Sequence, residues 1–182
     1  MVVGVLALQG GFAAHARILR DLGAQVREVR TPEDLEGLDG LVMPGGESTT
    51  MTLGVEREGL SDPLREFAAS GRPVFATCAG MIMLDRDHLG VLDVRCERNA
   101  FGRQVRSFEA DLELDGRTIH AVFIRAPWVA EAGPDVELPA EVDGHPVAAR
   151  QGNVVAVAFH PELGDDHSLH ADFLGRVRSN GR

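Results

Sequence analysis

Three stretches of the chain share one plan: "VVGVLALQGG", "LDGLVMPGG" and "RPVFATCAG". Each is a near-continuous apolar run that stops at small residues, and each is followed by a segment with helical features. A run that is apolar at successive positions, rather than at alternate ones, suits a strand buried on both faces, as in a parallel sheet covered by helices. "FAAHARILRDLG" places Ala14, Ile18, Leu19 and Leu22 at helical spacing and ends in Gly23. "ESTTMTLGVEREG" opens with residues suited to a helix N-terminus, and "DPLREFAASG" has Pro63 in its first turn and Gly71 just past its end. With "AQVREV" as a further strand, the first half alternates β and α, the pattern of a doubly wound sheet. Ligands of such sheets bind at the carboxyl ends of the strands, where "LQGG", "PGGES" and "TCAG" stand.

The second half is strand-like: "QVRSFEADLEL", "RTIHAVFIRA", "HPVAAR" and "NVVAVAFH", separated by turn signals such as Asp115-Gly116 and Asp143-Gly144. The expectation is a β-rich extension of the same sheet, closed by a helix from about His167 to Val177. No internal repeat or low-complexity linker divides the 182 residues, and the expected organisation is one domain over 1–182.

Composition excludes some classes. A net charge of -10 argues against a general nucleic-acid binder, though not against a local Arg pocket. No apolar run approaches the roughly 18 residues that span a bilayer, and "MVVGVLALQGG" lacks the basic start of a signal peptide. The reading is a cytoplasmic protein without membrane partners. All 18 basic residues are Arg, so no lysine is available to form an imine with a carbonyl substrate. Two cysteines in such a chain are not a disulfide framework. Cys96, in "LDVRCERNAF", reads as a small strand residue.

Cys78 is different, because it sits at the bend between an apolar strand and an apolar helix, with Ala76, Ala79 and Gly80 around it. A nucleophile on a sharp strand-to-helix turn needs such small neighbours. A helix that begins at Ala79 would direct N–H groups at the bend, favouring a thiolate and offering an oxyanion donor. A buried core thiol fits the same stretch. A thiol nucleophile needs a base and the base an orienter. "FHPELGDDHSLH" supplies His160 and Glu162, two apart in what reads as extended chain and therefore pointing the same way. The same segment allows a surface histidine, or a metal site drawn from His160, Glu162, Asp166, His167 and His170. "PGGES" suits a phosphate, a substrate carboxylate or an oxyanion, or is a plain turn; the lysine and spacing of a P-loop are absent.

"GVLALQGGFAAH", "PGGESTTM", "TCAGMIML", "ERNAFGRQVRSFEADL", "VFIRAP" and "FHPEL", in this order, resemble the glutaminase subunits of pyridoxal 5'-phosphate synthase, a family of class I, triad-type glutamine amidotransferases. "NAFGRQ" and "FIRAP" make the resemblance specific. It implies a three-layer, flavodoxin-like α/β fold with a mixed, mostly parallel central sheet and helices on both faces. It implies Cys78 as nucleophile, His160 as base, Glu162 as orienter, and the backbone N–H groups of Gly46 and Ala79 as oxyanion hole. Gly46, Glu47, Ser48, Arg98, Ile124 and Arg125 match the family's glutamine-binding positions, and Gln9 would support the oxyanion side and the partner interface. The implied reaction converts L-glutamine and water to glutamate and ammonia, without cofactor or metal, and passes the ammonia to a (β/α)₈-barrel synthase subunit in a large hetero-oligomer. The alternatives are a glutaminase serving another synthase, a non-catalytic glutamine-binding module, and a metal-dependent hydrolase. One departure stands out: only "DRD" joins "MIML" to "HLGVLDV", where the family carries a longer connection. Local helix length and any partner contact made there are expected to differ.

Overall fold

The computed structural model describes residues 1–102 and 107–181. The three apolar runs form β1 (Val2–Leu6), β3 (Gly40–Met43) and β4 (Val74–Thr77), and β2 is Gln25–Val29. Every residue of β3 and β4 is buried, as their unbroken apolar character requires. Between them run α1 (Phe12–Asp21), α2 (Ser48–Arg57) and α3 (Ser61–Ala69), and α4 (Ala79–Leu84) follows β4. The chain continues through β5 (Val94–Glu97), β6 (Ser107–Leu114), β7 (Arg117–Ile124), β8 (Trp128–Ala132), β9 (Glu141–Val142), β10 (His145–Pro146), β11 (Ala148–Gln151) and β12 (Val154–Val157), and ends in α5 (Ser168–Asn180).

The central sheet has six strands in the order β2-β1-β3-β4-β12-β11, all parallel except β11 at the edge. The parallel part has the flavodoxin-like order. The connections β1→β2 and β3→β4 run in opposite directions across the sheet, so right-handed crossovers put α1 on one face and α2 and α3 on the other. α1 packs against α5, and α2 against α4. One hydrophobic cluster runs from Val3 to Val177 through all these elements.

The expected extension of the sheet is corrected in part. β11 and β12 join it, but β6–β7 and β5–β8 are separate two-stranded antiparallel ribbons, and β9–β10 is a third. The reason lies in the pattern of "SFEADLEL": Glu109, Asp111 and Glu113 face water while Leu112 and Leu114 are buried. A strand with one solvated face suits a ribbon laid over the core, not a place between buried parallel neighbours. "HPVAAR" likewise divides at Val147 between β10 and β11. The two turn signals form as expected, with positive φ at Asp115, Gly116, Asp143 and Gly144, as type I′ hairpins demand. The β6–β7 ribbon is anchored by Phe123, whose ring stacks 4.5 Å from Phe108 and lies 5.6 Å from Phe159 beyond β12. Arg103 to Arg106, which include the end of "NAFGRQ" and the start of the expected strand from Gln104, lie outside the described residues.

Candidate active site

β4 delivers Cys78 into a bend that side chains avoid. Its backbone has φ 48° and ψ -111°, a conformation that costs a non-glycine residue about 1–3 kcal/mol and must be imposed by its surroundings. Two bonds impose it: the Cys78 N–H donates to the Val157 carbonyl at 2.8 Å, and the Cys78 carbonyl accepts from Met81 N–H at 3.0 Å as α4 starts. Cys78 is 6% exposed, and its thiol reaches the Ile124 carbonyl by a long contact of 3.8 Å.

β12 runs beside β4 and carries the chain to His160. The His160 N–H donates to the Val122 carbonyl of β7 at 2.8 Å, so the ribbon fixes His160 from outside the sheet. The chain does not stay extended beyond it. Pro161 opens a 3₁₀ turn, Pro161–Leu163, and this turn, rather than strand alternation, folds Glu162 back toward the imidazole. His160 Nδ1 donates to Glu162 Oε1 at 2.7 Å, leaving Nε2 as the nitrogen available to a thiol. The Glu162 side chain is 3% exposed, so it is not a solvated helix-start residue. Burial alone would raise its pKa, but His15 and His160 outweigh burial and hold the carboxyl far below its ordinary value. Burial would lower His160, but Cys78 and Glu162 outweigh it and raise His160 to about 10.

The glycine loops let these groups converge. A Cβ on Gly45 would lie 2.8 Å from His160 Cε1 and 3.0 Å from Cys78 Cβ, so the site closes around a position without a side chain. Gly10, at φ 93°, brings the loop after β1 so near that a Cβ there would meet the Gly45 carbonyl oxygen at 1.9 Å. Gln9 Oε1 accepts from Glu47 N–H at 2.7 Å and ties the two loops together. The Glu47 carboxylate caps α2, accepting from Thr50 N–H at 2.7 Å, Thr50 Oγ1 at 2.8 Å and Thr49 N–H at 3.1 Å. Those bonds, Thr50's foremost, lower its pKa to about 2.

A cleft of about 520 Å³ opens above these residues. Cys78, Ala79, His160 and Glu162 line it together with Gly46, Glu47, Ser48, Arg98, Ile124 and Arg125, while Gln9 acts from behind the wall. Arg98 donates to Thr49 Oγ1 at 3.3 Å and to His88 Nε2 at 3.2 Å. His88 Nδ1 in turn donates to Asp85 Oδ1 at 2.7 Å. Asp85 is 1% exposed and also accepts from Cys96 N–H at 3.1 Å and Asp87 N–H at 3.0 Å. The short connection after Leu84 is therefore tied down, and it braces Arg98. A second cavity, of about 590 Å³ between α5 and the β11–β12 edge, contains none of these groups.

The histidine cluster of "FHPELGDDHSLH" is dispersed. Asp166 caps the start of α5 by accepting from Ser168 N–H at 2.8 Å, and His170 is fully buried away from His160. Among the described residues, no three His, Cys, Asp or Glu side chains are grouped to hold a metal ion. What the sequence reading passed over is His15, fully buried with Nε2 3.3 Å from Glu162 Oε2. A signal existed, since His15 lies three and four positions before Ile18 and Leu19 on the same helix face, and His170 stands in the same relation to Phe173 and Leu174.

The model of the SNO glutamine amidotransferase family matches residues 5–179. The chain is 50% identical over 187 residues to the pyridoxal 5'-phosphate synthase subunit PdxT of Geobacillus kaustophilus, covering 98% of this chain and 95% of that one. It is 51% identical over 189 residues to the protein of the same name from Mycobacteroides abscessus, covering 98% of each. A crystal structure described as that of a glutamine amidotransferase superposes with a TM-score of 0.92 at 47% identity, covering 98% of this chain and all of that one. A putative GMP synthase subunit from Thermoplasma acidophilum, at 18% identity and a TM-score of 0.75, shares the fold.

Proposed function

The chain belongs to the SNO glutamine amidotransferase family, and from that premise we propose that it is the glutaminase subunit of a pyridoxal 5'-phosphate synthase. Its substrate is L-glutamine. Cys78 Sγ attacks the side-chain amide carbon while His160 takes the thiol proton. The N–H groups of Gly46 and Ala79 hold the oxyanion that develops. His160 then gives its proton to the departing nitrogen, ammonia leaves, and a glutamyl thioester remains on Cys78. Water, deprotonated by His160, attacks the thioester; the C–S bond breaks, glutamate is released, and the proton returns from His160 to Cys78 Sγ. Glu162 keeps the imidazole in the tautomer and orientation that both steps need.

Arg98, with a planar fork of donors, suits the substrate carboxylate, and its brace through His88 and Asp85 supports that role. Ser48, Glu47, Ile124 and Arg125 complete the walls. The ammonia goes to a separate synthase subunit, a (β/α)₈ barrel in a larger hetero-oligomer, which performs the amine chemistry that this lysine-free chain lacks. The whole of 1–182 acts as one glutaminase domain in the cytoplasm, in keeping with two free thiols.

The observation that carries this reading is the strained Cys78 bend in the same cleft as His160, because strain of that kind persists only where the surroundings over-determine it. The test is release of glutamate from glutamine by the chain alone and by the chain mixed with the synthase subunit. Partner-stimulated release that vanishes in Cys78→Ala is the expected result. Undiminished release by Cys78→Ala would overturn it.

A further inference from the structure

Two fully buried histidines lie behind the proposed triad, on different helices, and the mechanism above uses neither. His15 belongs to α1 and His170 to α5, and both are 0% exposed. His15 Nδ1 is 2.9 Å from His170 Nε2. On its other side, His15 Nε2 is 3.2 Å from Thr77 Oγ1 and 3.3 Å from Glu162 Oε2. Thr77 Oγ1 also accepts from Gly45 N–H at 3.1 Å. One imidazole thus touches the orienting carboxylate and, through a single hydroxyl, the turn that carries the proposed oxyanion donor Gly46.

One arrangement of protons leaves no buried N–H of this row unpaired. Glu162 is a carboxylate and only accepts. Its Oε1 takes the His160 proton, and its Oε2 is buried without a hydrogen-bond partner of good geometry; the nearest donor to it is a His15 Nε2–H, 3.3 Å away and shared with Thr77 Oγ1. A neutral His15 then has a bare Nδ1, which must accept from His170 Nε2–H. That leaves His170 Nδ1 bare, in keeping with its being buried without a hydrogen-bond partner. The opposite assignment would place an unpaired N–H donor, or a second buried cation, in the same space, which is the costlier arrangement. Burial lowers the His170 pKa to about 3, in keeping with a neutral ring.

We propose that His15, held in one tautomer by His170, is a positioning residue that fixes the second oxygen of Glu162 and, through Thr77, the Gly45–Gly46 turn. The triad thereby continues inward as Cys78–His160–Glu162–His15–His170. A 3.3 Å polar contact with a buried charged group, added to a second contact with the oxyanion loop, should matter for turnover and not for glutamine binding, because no atom of His15 or His170 lines the cleft. The proposal rests on the reading of Glu162 as orienter.

The test uses the chain assembled with its synthase subunit and reads kcat and KM for glutamine in variants shown to fold by circular dichroism. His15→Phe keeps ring volume and removes both nitrogens; kcat should fall on the order of tenfold to a hundredfold with KM unchanged. His15→Gln, whose amide can still donate toward Oε2, should recover most of that loss. Added to Glu162→Ala, His15→Phe should cost much less than it does alone, leaving only the part that acts through Thr77. A folded His15→Phe with wild-type kcat, or one whose loss multiplies in full on top of Glu162→Ala, overturns the proposal. Should His15→Phe not fold, His170→Leu carries the same test at about two- to fivefold, and wild-type kcat there overturns it. If Glu162→Ala itself leaves kcat intact, it is the orienter reading that falls, and this proposal falls with it.

Discussion

Cys78 and Cys96 are both free and both largely withdrawn from water, yet their surroundings oppose each other at every point. Cys96 lies in β5, and its N–H is held by the buried carboxylate of Asp85. Burial first, and the Asp85 charge second, push its thiol up to about 12. Cys78 occupies a strained bend in a cleft, with an imidazole opposite and glycine loops on either side. Burial is therefore not what separates the core thiol from the proposed nucleophile. Backbone conformation and the sign of the neighbouring charge do that.

The largest expected effect follows directly. Cys78→Ala should lower glutamate release by about 10⁴-fold or more, and Cys96→Ala should change it by less than about twofold. A large loss in the second variant would break the comparison. Next in size is labelling. With its thiol near 12, Cys96 holds roughly one thiolate in 10⁴ at pH 8, so a chloroketone analogue of glutamine should modify Cys78 at least about a hundredfold faster. Peptide mapping by mass spectrometry reads the ratio, and equal labelling would sink the distinction.

A smaller effect should invert between the two positions. At Cys78, where φ is 48°, the Gly variant should be more stable than the Ala variant by about 1 kcal/mol. In β5, the Gly variant at Cys96 should be the less stable by a similar amount. Urea unfolding of the four variants measures this, and the same sign at both sites would mean that the Cys78 bend stores no strain. A further effect is on pH dependence. His160 is raised in the fold, so its contribution to stability is complete below about 6.5 and lost as pH rises through about 10. Glu162 is lowered, so its contribution is complete above about 4.5 and lost as pH falls below that. The urea midpoint should decline on both sides of this window, and His160→Gln should flatten the alkaline side.

The same contrast shows what the residues alone could tell. β1, β3 and β4 were legible because burial on both faces leaves an unbroken apolar run, and the bend at Cys78 because small residues surround it. The β6–β7 ribbon was legible as strands but not as a separate element, since alternation states that one face is solvated and is silent about which neighbour the other face meets. The His160–Glu162 pairing was expected by the wrong geometry. Two residues apart on a strand or in a 3₁₀ turn can both face inward, and only the folded chain distinguishes them. His15 and His170 carry no local mark of their partnership, because what joins them is the packing of α1 on α5 across 155 positions.

The walls of the cleft come from Gly10, Gly46, Cys78, Arg98, Ile124 and His160, on segments scattered along nearly the whole chain. No contiguous fragment holds them all, and none is placed until the sheet and the ribbon above it are in register. Turnover of glutamine is for this reason a gauge of assembly: a truncated or half-melted chain has no partial version of the site, and the loss of activity on heating should report the melting of the whole sheet.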